Sequence, residues 1–260
     1  MVARIKLLVT SGRSNENMTD SLSARQIQIL KLLIDEYIET AEPVGSETLD
    51  KKFNLGISPA TIRNEMAELI KKGFLKQIHT SSGRVPTPKA MKLYVDQLMV
   101  EKQMSLADEV KAREDVDKGK GDIDRIMDGA THALAQQTGN LSVAAVDTYG
   151  KIWHAGYANI FSNPEFSDML VCESLFSMID QVDRINDLLF HRMDPASILD
   201  VMFGEELSWP NLGPVGIVST HFNIYGRKGA LGVVGPARLS YSRVVPILKY
   251  FGSLIEEATR

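Results

Sequence analysis

Between Ser58 and Gly73 the chain has little conformational choice. Ser58 can cap a helix, because its hydroxyl accepts one of the backbone N–H groups a helix start leaves orphaned. Pro59 suits the first helical position, where no donor is needed. Ile62, Met66, Leu69 and Ile70 then recur at helical spacing, and Gly73 after Lys71-Lys72 is a stop signal. The reading is an amphipathic helix of about three to four turns. At about 100° per residue its outward side carries Ala60, Thr61, Asn64, Ala67, Glu68 and Lys71, with Arg63 on the flank. A helix entering the major groove needs such small polar residues, since bulky ones hold it off the base edges, while Asn pairs bidentately with adenine and Arg with guanine. Glu68 is the awkward member: it can accept from a cytosine amino group or sit outside the groove. Taken alone, the helix is first of all an ordinary solvated surface.

The neighbouring residues change that balance. Phe74 to Ile78 reads as a short strand, His79-Thr80-Ser81-Ser82-Gly83-Arg84 as a polar turn and Val85 as the returning strand, and Thr87-Pro88 caps another helix. The order is a DNA-recognition helix followed by a β-wing. Hydroxyls and backbone N–H groups suit phosphate oxygens, and an Arg at a wing tip suits a phosphate or a narrow minor groove. Upstream, Ile27, Leu30, Leu33, Ile34, Tyr37 and Ile38 form a helical stripe from Ala24 to Thr40 capped by Ser23, which Pro43 ends. A short helix from Gly45 to about Lys52 then turns through Phe53-Asn54-Leu55-Gly56 into the recognition helix, the helix-turn-helix order. Ser46 and Thr48 near its start are phosphate-contact candidates or simple caps. The DNA-binding set expected from the residues is Ser46, Thr48, Ser58, Thr61, Arg63, Asn64, Lys71, His79, Thr80, Ser81, Ser82, Gly83 and Arg84.

The stretches SARQIQILKLLIDEYIETAEPVGSETL (from Ser23), SPATIRNEMAELIKKGFL and HTSSGRVPTPKAMKLYVD (to Asp96) closely resemble the HrcA family of heat-inducible transcription repressors, above all in TAEPVGS, SPATIRN and HTS-x-GR-x-PT. Ser82 stands where that family usually has Ala. GRKGALGVVGPARLSYSRVVPILKYF, from Gly226, resembles the family's C-terminal signature. The stretch from about Gln103 to Ser162 resembles it little. The chain is also shorter than most members, so the family's inserted dimerisation element is expected to be reduced or missing. The resemblance implies a winged helix-turn-helix domain with a GAF-like domain, and a homodimer on inverted-repeat operators of chaperone operons. It further implies release by heat and the GroEL chaperonin as the partner that maintains the active form.

Composition narrows the setting. The net charge of −4 divides unevenly: residues 1–100 hold 14 Lys and Arg against 11 Asp and Glu, or +3, and residues 101–260 hold 15 against 22, or −7. Only the first part suits a polyanion, and modestly, so affinity is expected to rest on geometry and dimerisation more than on bulk charge. A single cysteine, Cys172 in the apolar run MLVCESLF, excludes an intrachain disulfide and reads as core filler, with a reducing cytoplasm as the expected location, which the resemblance implies is that of a bacterium, at the nucleoid when bound to DNA. No apolar run has the length of a membrane span. MVARIKLLVTSGR is not a credible signal peptide, and residues 1–21 read as a flexible tail.

Further along, Pro88 to about Met104 reads as a helix. The charged stretch EVKAREDVDKGKGDIDR from Glu109 to Arg125 is broken at Lys118-Gly119-Lys120-Gly121 and reads as an interdomain hinge. Ile123 to Gln137 is a striped helix suited to dimer contacts or to packing within one chain. Residues 22–104, 105–139 and 140–260 thus divide into DNA-binding, linking and effector or dimerisation parts. In the last, strands at Leu141–Val146, Lys151–Tyr157, Ile198–Phe203, Val215–Ile224 and Ala230–Val234 accompany a helical stretch from Asn163-Pro164 to about His191. A final helix from Tyr241, capped by Ser240, contains Pro246. The fold class is α+β.

Gly226, Gly229, Gly232 and Gly235 do not form the GxGxxG dinucleotide fingerprint and are expected in a hairpin turn, from Tyr225 to Gly229, and at a sheet edge. The histidines lack metal-ligand spacing, and neither a nucleophile elbow nor HExxH occurs, so no cofactor, metal or enzymatic activity is expected. Two other readings stay open. Trp153, Tyr157, Phe161, Trp209 and Phe222 would line a small-effector pocket in a ligand-responsive regulator, or the winged helix would be a protein-interaction module without DNA.

Overall fold

The computed structural model describes residues 21–79, 83–192 and 197–260 of the chain. Three helices come first. α1 (Ala24–Thr40) starts at a capping box in which Ser23 and Gln26 each accept the other's backbone N–H at 3.2 Å, and ends on Ala41 in the left-handed region. α2 (Ser46–Phe53) follows the short turn at Pro43 and stops at left-handed Asn54. α3 (Pro59–Lys71) begins as its sequence dictates: Ser58 Oγ accepts from Thr61 N at 3.2 Å. It ends where Gly73, at φ +78°, lets Phe74 N reach back to the Leu69 carbonyl at 2.9 Å. Leu49, Ile62, Met66 and Leu69 are fully buried beside Leu30, Leu33 and Ile34 of α1. Each such burial stabilises by roughly 1.5–3 kcal/mol, so the orientation of α3 is fixed from its inner side.

A two-stranded antiparallel hairpin, β1 (Leu75–Gln77) and β2 (Arg84–Pro86), leads to α4 (Pro88–Leu93), which Thr87 caps. The expected single helix to Met104 ends early, because the last residues widen into a π-turn at Tyr94–Leu98. That turn buries Tyr94, whose hydroxyl donates to Asp35 of α1 at 2.6 Å. The charged stretch expected as a hinge is helical to Asp117. α5 (Leu106–Asp117) and α6 (Ile123–Thr138) form an antiparallel hairpin around the turn at residues 118–121. Their approach is close: a Cβ at Gly129 would lie 2.7 Å from the Asp115 carbonyl.

The five-stranded sheet is antiparallel throughout, in the order β4-β3-β7-β6-β5, with β3 Leu141–Val146, β4 Ile152–Ala155, β5 Leu199–Phe203, β6 Val215–Ile224 and β7 Arg227–Pro236. Helices cover both faces. α6 and α9 (Tyr241–Ala258) lie on one, and α7 (Met169–Ile179) with α8 (Val182–Asp187) on the other, so every residue of β3 is buried. The mixed helix-and-sheet class is as expected. The stretch after Asn163 is helical as expected, in short pieces: a 3-10 turn at Pro164–Ser167, α7, α8 and a π-turn at Leu188–Arg192.

The glycines depart from expectation. The turn is only Tyr225-Gly226, both at positive φ (47° and 78°), and β7 extends from Arg227, with Asn223 opposite Lys228 and Phe222 opposite Gly229. Gly229, Gly232 and Gly235 therefore sit in the central strand and not at an edge. Packing explains two of them: a Cβ would stand 2.2 Å from the Phe222 ring at Gly229, and 2.6 Å from both Asn140 and Leu239 at Gly235. Ser240 opens α9 without a side-chain cap bond. Pro246 leaves the Ser242 carbonyl without its helical donor, and the Lys102 backbone N–H takes it at 2.8 Å.

Candidate nucleic-acid interface

The inner side of α3 is occupied by its apolar stripe, and Glu65 on its flank is held to α1 by Gln26 Nε2 at 3.0 Å and Arg25 at 3.4 Å. What remains exposed is Ala60, Arg63, Asn64, Ala67, Glu68 and Lys71. Thr61 is half-buried, its hydroxyl 3.0 Å from that of Ser58, so both are engaged in the cap. Lys71 donates to Glu68 at 2.7 Å, and this bond holds the Glu68 carboxyl below the usual carboxylate range. The pair is exposed on both sides and screened by solvent. Arg63 and Asn64 have no side-chain partner among the described residues. A rigid helix thus offers a planar cation and an amide to solvent on a surface otherwise built of small residues, the donor sets that read guanine and adenine edges.

The hairpin is bound to the same unit. Val44 N donates to the Arg84 carbonyl at 2.9 Å and Arg84 N to the Val44 carbonyl at 2.8 Å, which joins β2 to the turn before α2. Gly83 is needed for this approach, since a Cβ there would lie 2.5 Å from the Pro43 carbonyl. Thr87 Oγ1 donates to the Gly73 carbonyl at 2.7 Å and fixes the far end of β2 to the end of α3. Arg84, expected at a tip, is half-buried as the first residue of β2, opposite Gln77. His79 is exposed, and Thr80, Ser81 and Ser82 lie outside the described residues.

On α2, Ser46 is buried while Thr48 is exposed, with Gly45 in the capping position. Lys52 is held by Glu36 and Glu39 of α1, and these bonds raise its pKa above the usual lysine range. Lys51 is exposed without a partner among the described residues and follows Thr48 by one helical turn. The sequence reading passed over it. Its signal was present, a lysine on the solvent side of the helix that precedes a recognition helix.

The five aromatic residues considered as a pocket do not converge. Trp153 and Phe222 belong to the core under α6 and α9, Tyr157 and Trp209 pack on the opposite core, and Phe161 is 58% exposed. An open groove between α5 and α6 is lined by Asp115, Lys118, Arg125, Asp128, His132 and Gln136 among others, and by none of these aromatics. Among the described residues no helix is long and apolar enough to cross a membrane.

Comparison with known proteins places this architecture. A heat-inducible transcription repressor HrcA of Clostridium acetobutylicum is 27% identical over 329 residues, covering 87% of this chain and 94% of that protein. That of Clostridioides difficile is 25% identical over 334 residues, covering 90% and 98%. Both alignments are longer than the 260 residues of this chain, so the relatives carry a stretch without counterpart here. A crystal structure at 2.2 Å described as a hypothetical protein shares the fold with a TM-score of 0.73 at 18% identity, over 92% of this chain and 98% of that one. The family model for the HrcA protein C-terminal domain matches residues 80–245, well over half of the chain, and the chain therefore belongs to the HrcA family.

Proposed function

We propose that this protein is a sequence-specific, DNA-binding repressor of heat-shock chaperone operons. It binds an inverted repeat as a homodimer and is released on heat stress. Residues 22–104 act as a winged helix-turn-helix domain with α3 as the recognition helix, residues 140–260 as a GAF-like effector and dimerisation domain, and residues 105–139 as the link between them. The observation that carries this reading is the solvent face of α3, where Arg63 and Asn64, without a side-chain partner among the described residues, stand beside Ala60 and Ala67. Water hydrates both groups in the free protein, and the small side chains of Ala60 and Ala67 beside them leave their donors within reach of a base edge, as a base-reading helix requires. The relatives' description as heat-inducible transcription repressors supports the regulatory part.

The test is binding to a duplex carrying the chaperone-operon inverted repeat against a scrambled duplex at physiological salt, before and after brief heating, with and without GroEL. Repeat-selective binding that heat abolishes and the chaperonin restores is the expected result. Arg63→Ala and Asn64→Ala are each expected to relax discrimination by about 1–3 kcal/mol. Undiminished selectivity in both variants would remove α3 from the recognition role.

A further inference from the structure

Arg238 lies in the short connection between β7 and α9, within the C-terminal sequence signature, and has no place in the DNA interface described above. Its guanidinium makes three bonds. Nε donates to Glu165 Oε1 at 2.6 Å and Nη2 to Glu165 Oε2 at 3.1 Å, while Nη1 donates to the Ile38 carbonyl in the last turn of α1, also at 3.1 Å. Both charged side chains are largely buried, at 12% and 18% exposure, so this fork differs from the exposed ion pairs elsewhere on the surface.

The α1 end explains the choice of an arginine. The final carbonyls of a helix lack intrahelical donors and carry the negative end of its dipole. In α1 the Tyr37 carbonyl is taken by Ala41 N and the Glu36 carbonyl by the Thr40 hydroxyl. The Ile38 carbonyl is taken by Arg238 from a connection 200 positions away in sequence. Each anchor is itself fixed. Around Arg238, Ala237 N donates to the Pro214 carbonyl at 2.7 Å, Leu239 N to the Pro236 carbonyl at 2.9 Å and the buried Tyr241 hydroxyl to the Ala237 carbonyl at 2.7 Å. Glu165 sits in the 3-10 turn that buries Phe166. Tyr37, next to the fork, has its hydroxyl pKa raised by burial first and by the Glu165 charge second.

The fork is the largely buried ionic attachment of the helical unit, and exposed ones accompany it: Lys76 pairs with Glu205 and Lys92 with Glu206 in the turn after β5, and where the chain leaves the unit Lys102 N donates to the Ser242 carbonyl freed by Pro246 and Glu101 pairs with Lys249 of α9. We infer that Arg238, through Glu165 and the Ile38 carbonyl, is a positioning residue that fixes the pose of the α1–α3 unit on the sheet. It thereby sets the spacing of half-sites that a dimer of this protein accepts. Two recognition helices carried by a two-fold dimer read half-sites at one separation only if each is held rigidly to the part that dimerises. The inference rests on the proposed function for its DNA consequence, but the clamp itself does not depend on it.

The test separates the two. Spin labels at Glu47→Cys and Glu173→Cys, both exposed, report the distance between α2 and α7 in the full chain without DNA, Cys172 being buried. A narrow distribution is expected in the parent protein and a broad one after Arg238→Ala. Arg238→Lys, which keeps the charge and loses the fork, is expected between them and covers the case in which the alanine variant fails to fold. Inverted-repeat duplexes selected by the parent protein from a randomised pool are then altered by one or two base pairs in the spacer. The parent is expected to prefer one spacing by about tenfold or more and the variants to lose most of that preference, with affinity for a single half-site changed less than about twofold, a pattern that general destabilisation does not produce. Unchanged distance distributions in both variants overturn the clamp, and broadened distributions with an unchanged spacing profile overturn its role in positioning. A parent protein that selects no duplex sinks the proposed function instead, and the distance measurement still decides the clamp.

Discussion

At the scale of single residues, two kinds of constraint meet in the candidate interface. Arg63 and Asn64 were legible in the sequence because a regular helix converts spacing directly into facing, and the apolar stripe at Ile62, Met66 and Leu69 determines which side is left outside. The surroundings of Gly83 were not, since the backbone it must approach belongs to Pro43 and Val44, about 40 positions earlier. Gly83→Ala is therefore expected to destabilise the protein by about 1–3 kcal/mol through overpacking. It should also weaken binding to all duplexes alike, because the strand pair Val44–Arg84 is displaced. Thermal melting and titration of a selective and a scrambled duplex check this, and a variant with unchanged melting temperature would show that the contact gives way without cost.

At the scale of elements, Ser23, Ser58 and Thr87, read as caps, each accept a backbone N–H in the first turn of α1, α3 and α4, whereas Ser240, read the same way, makes no such bond at α9, and Ser105 and Asp122 cap α5 and α6 without having been singled out. The interior proline of α9 behaves differently. A proline within a helix costs about 3 kcal/mol relative to alanine, in part because it leaves a carbonyl unpaired. Here the Ser242 carbonyl is not unpaired, since Lys102 N occupies it. Pro246→Ala is accordingly expected to stabilise the fold by much less than ~3 kcal/mol. Amide exchange at Lys102 is expected to accelerate as the new N–H at position 246 competes for the carbonyl. A gain of the full amount with unchanged exchange would mean that the Lys102 bond contributes nothing to holding the segment between Leu98 and α5.

At the scale of the whole molecule, one continuous apolar core runs from Leu22 through α1, α3 and α4, along α5 and α6, to Ile255 of α9, and a second lies under α7 and α8. The helical N-terminal unit and the sheet are thus expected to unfold together. Both tryptophans, Trp153 and Trp209, are in the sheet part, whereas α1–α4 report only through helicity. Melting followed by tryptophan fluorescence and by far-ultraviolet dichroism should therefore coincide. An earlier helical phase would show that the N-terminal unit melts alone and that the shared core does not couple the two.

Local order was fixed by local chemistry: the starts of α1, α3 and α4 and the outward residues of α3 all follow from neighbours within a few positions. The family resemblance was also carried by contiguous runs. Sequence did not place β7 at the centre of the sheet, where Gly229 and Gly235 make room for Phe222 and for Asn140 and Leu239, because strand order is set by pairing between distant segments. Nor did it separate Trp153 and Phe222 from Tyr157 and Trp209 onto two cores and leave Phe161 exposed, or bring Arg238 to the end of α1. Those arrangements exist only when the sheet, its two helical layers and the N-terminal helices are packed together, since each depends on the position of a partner that no local propensity encodes.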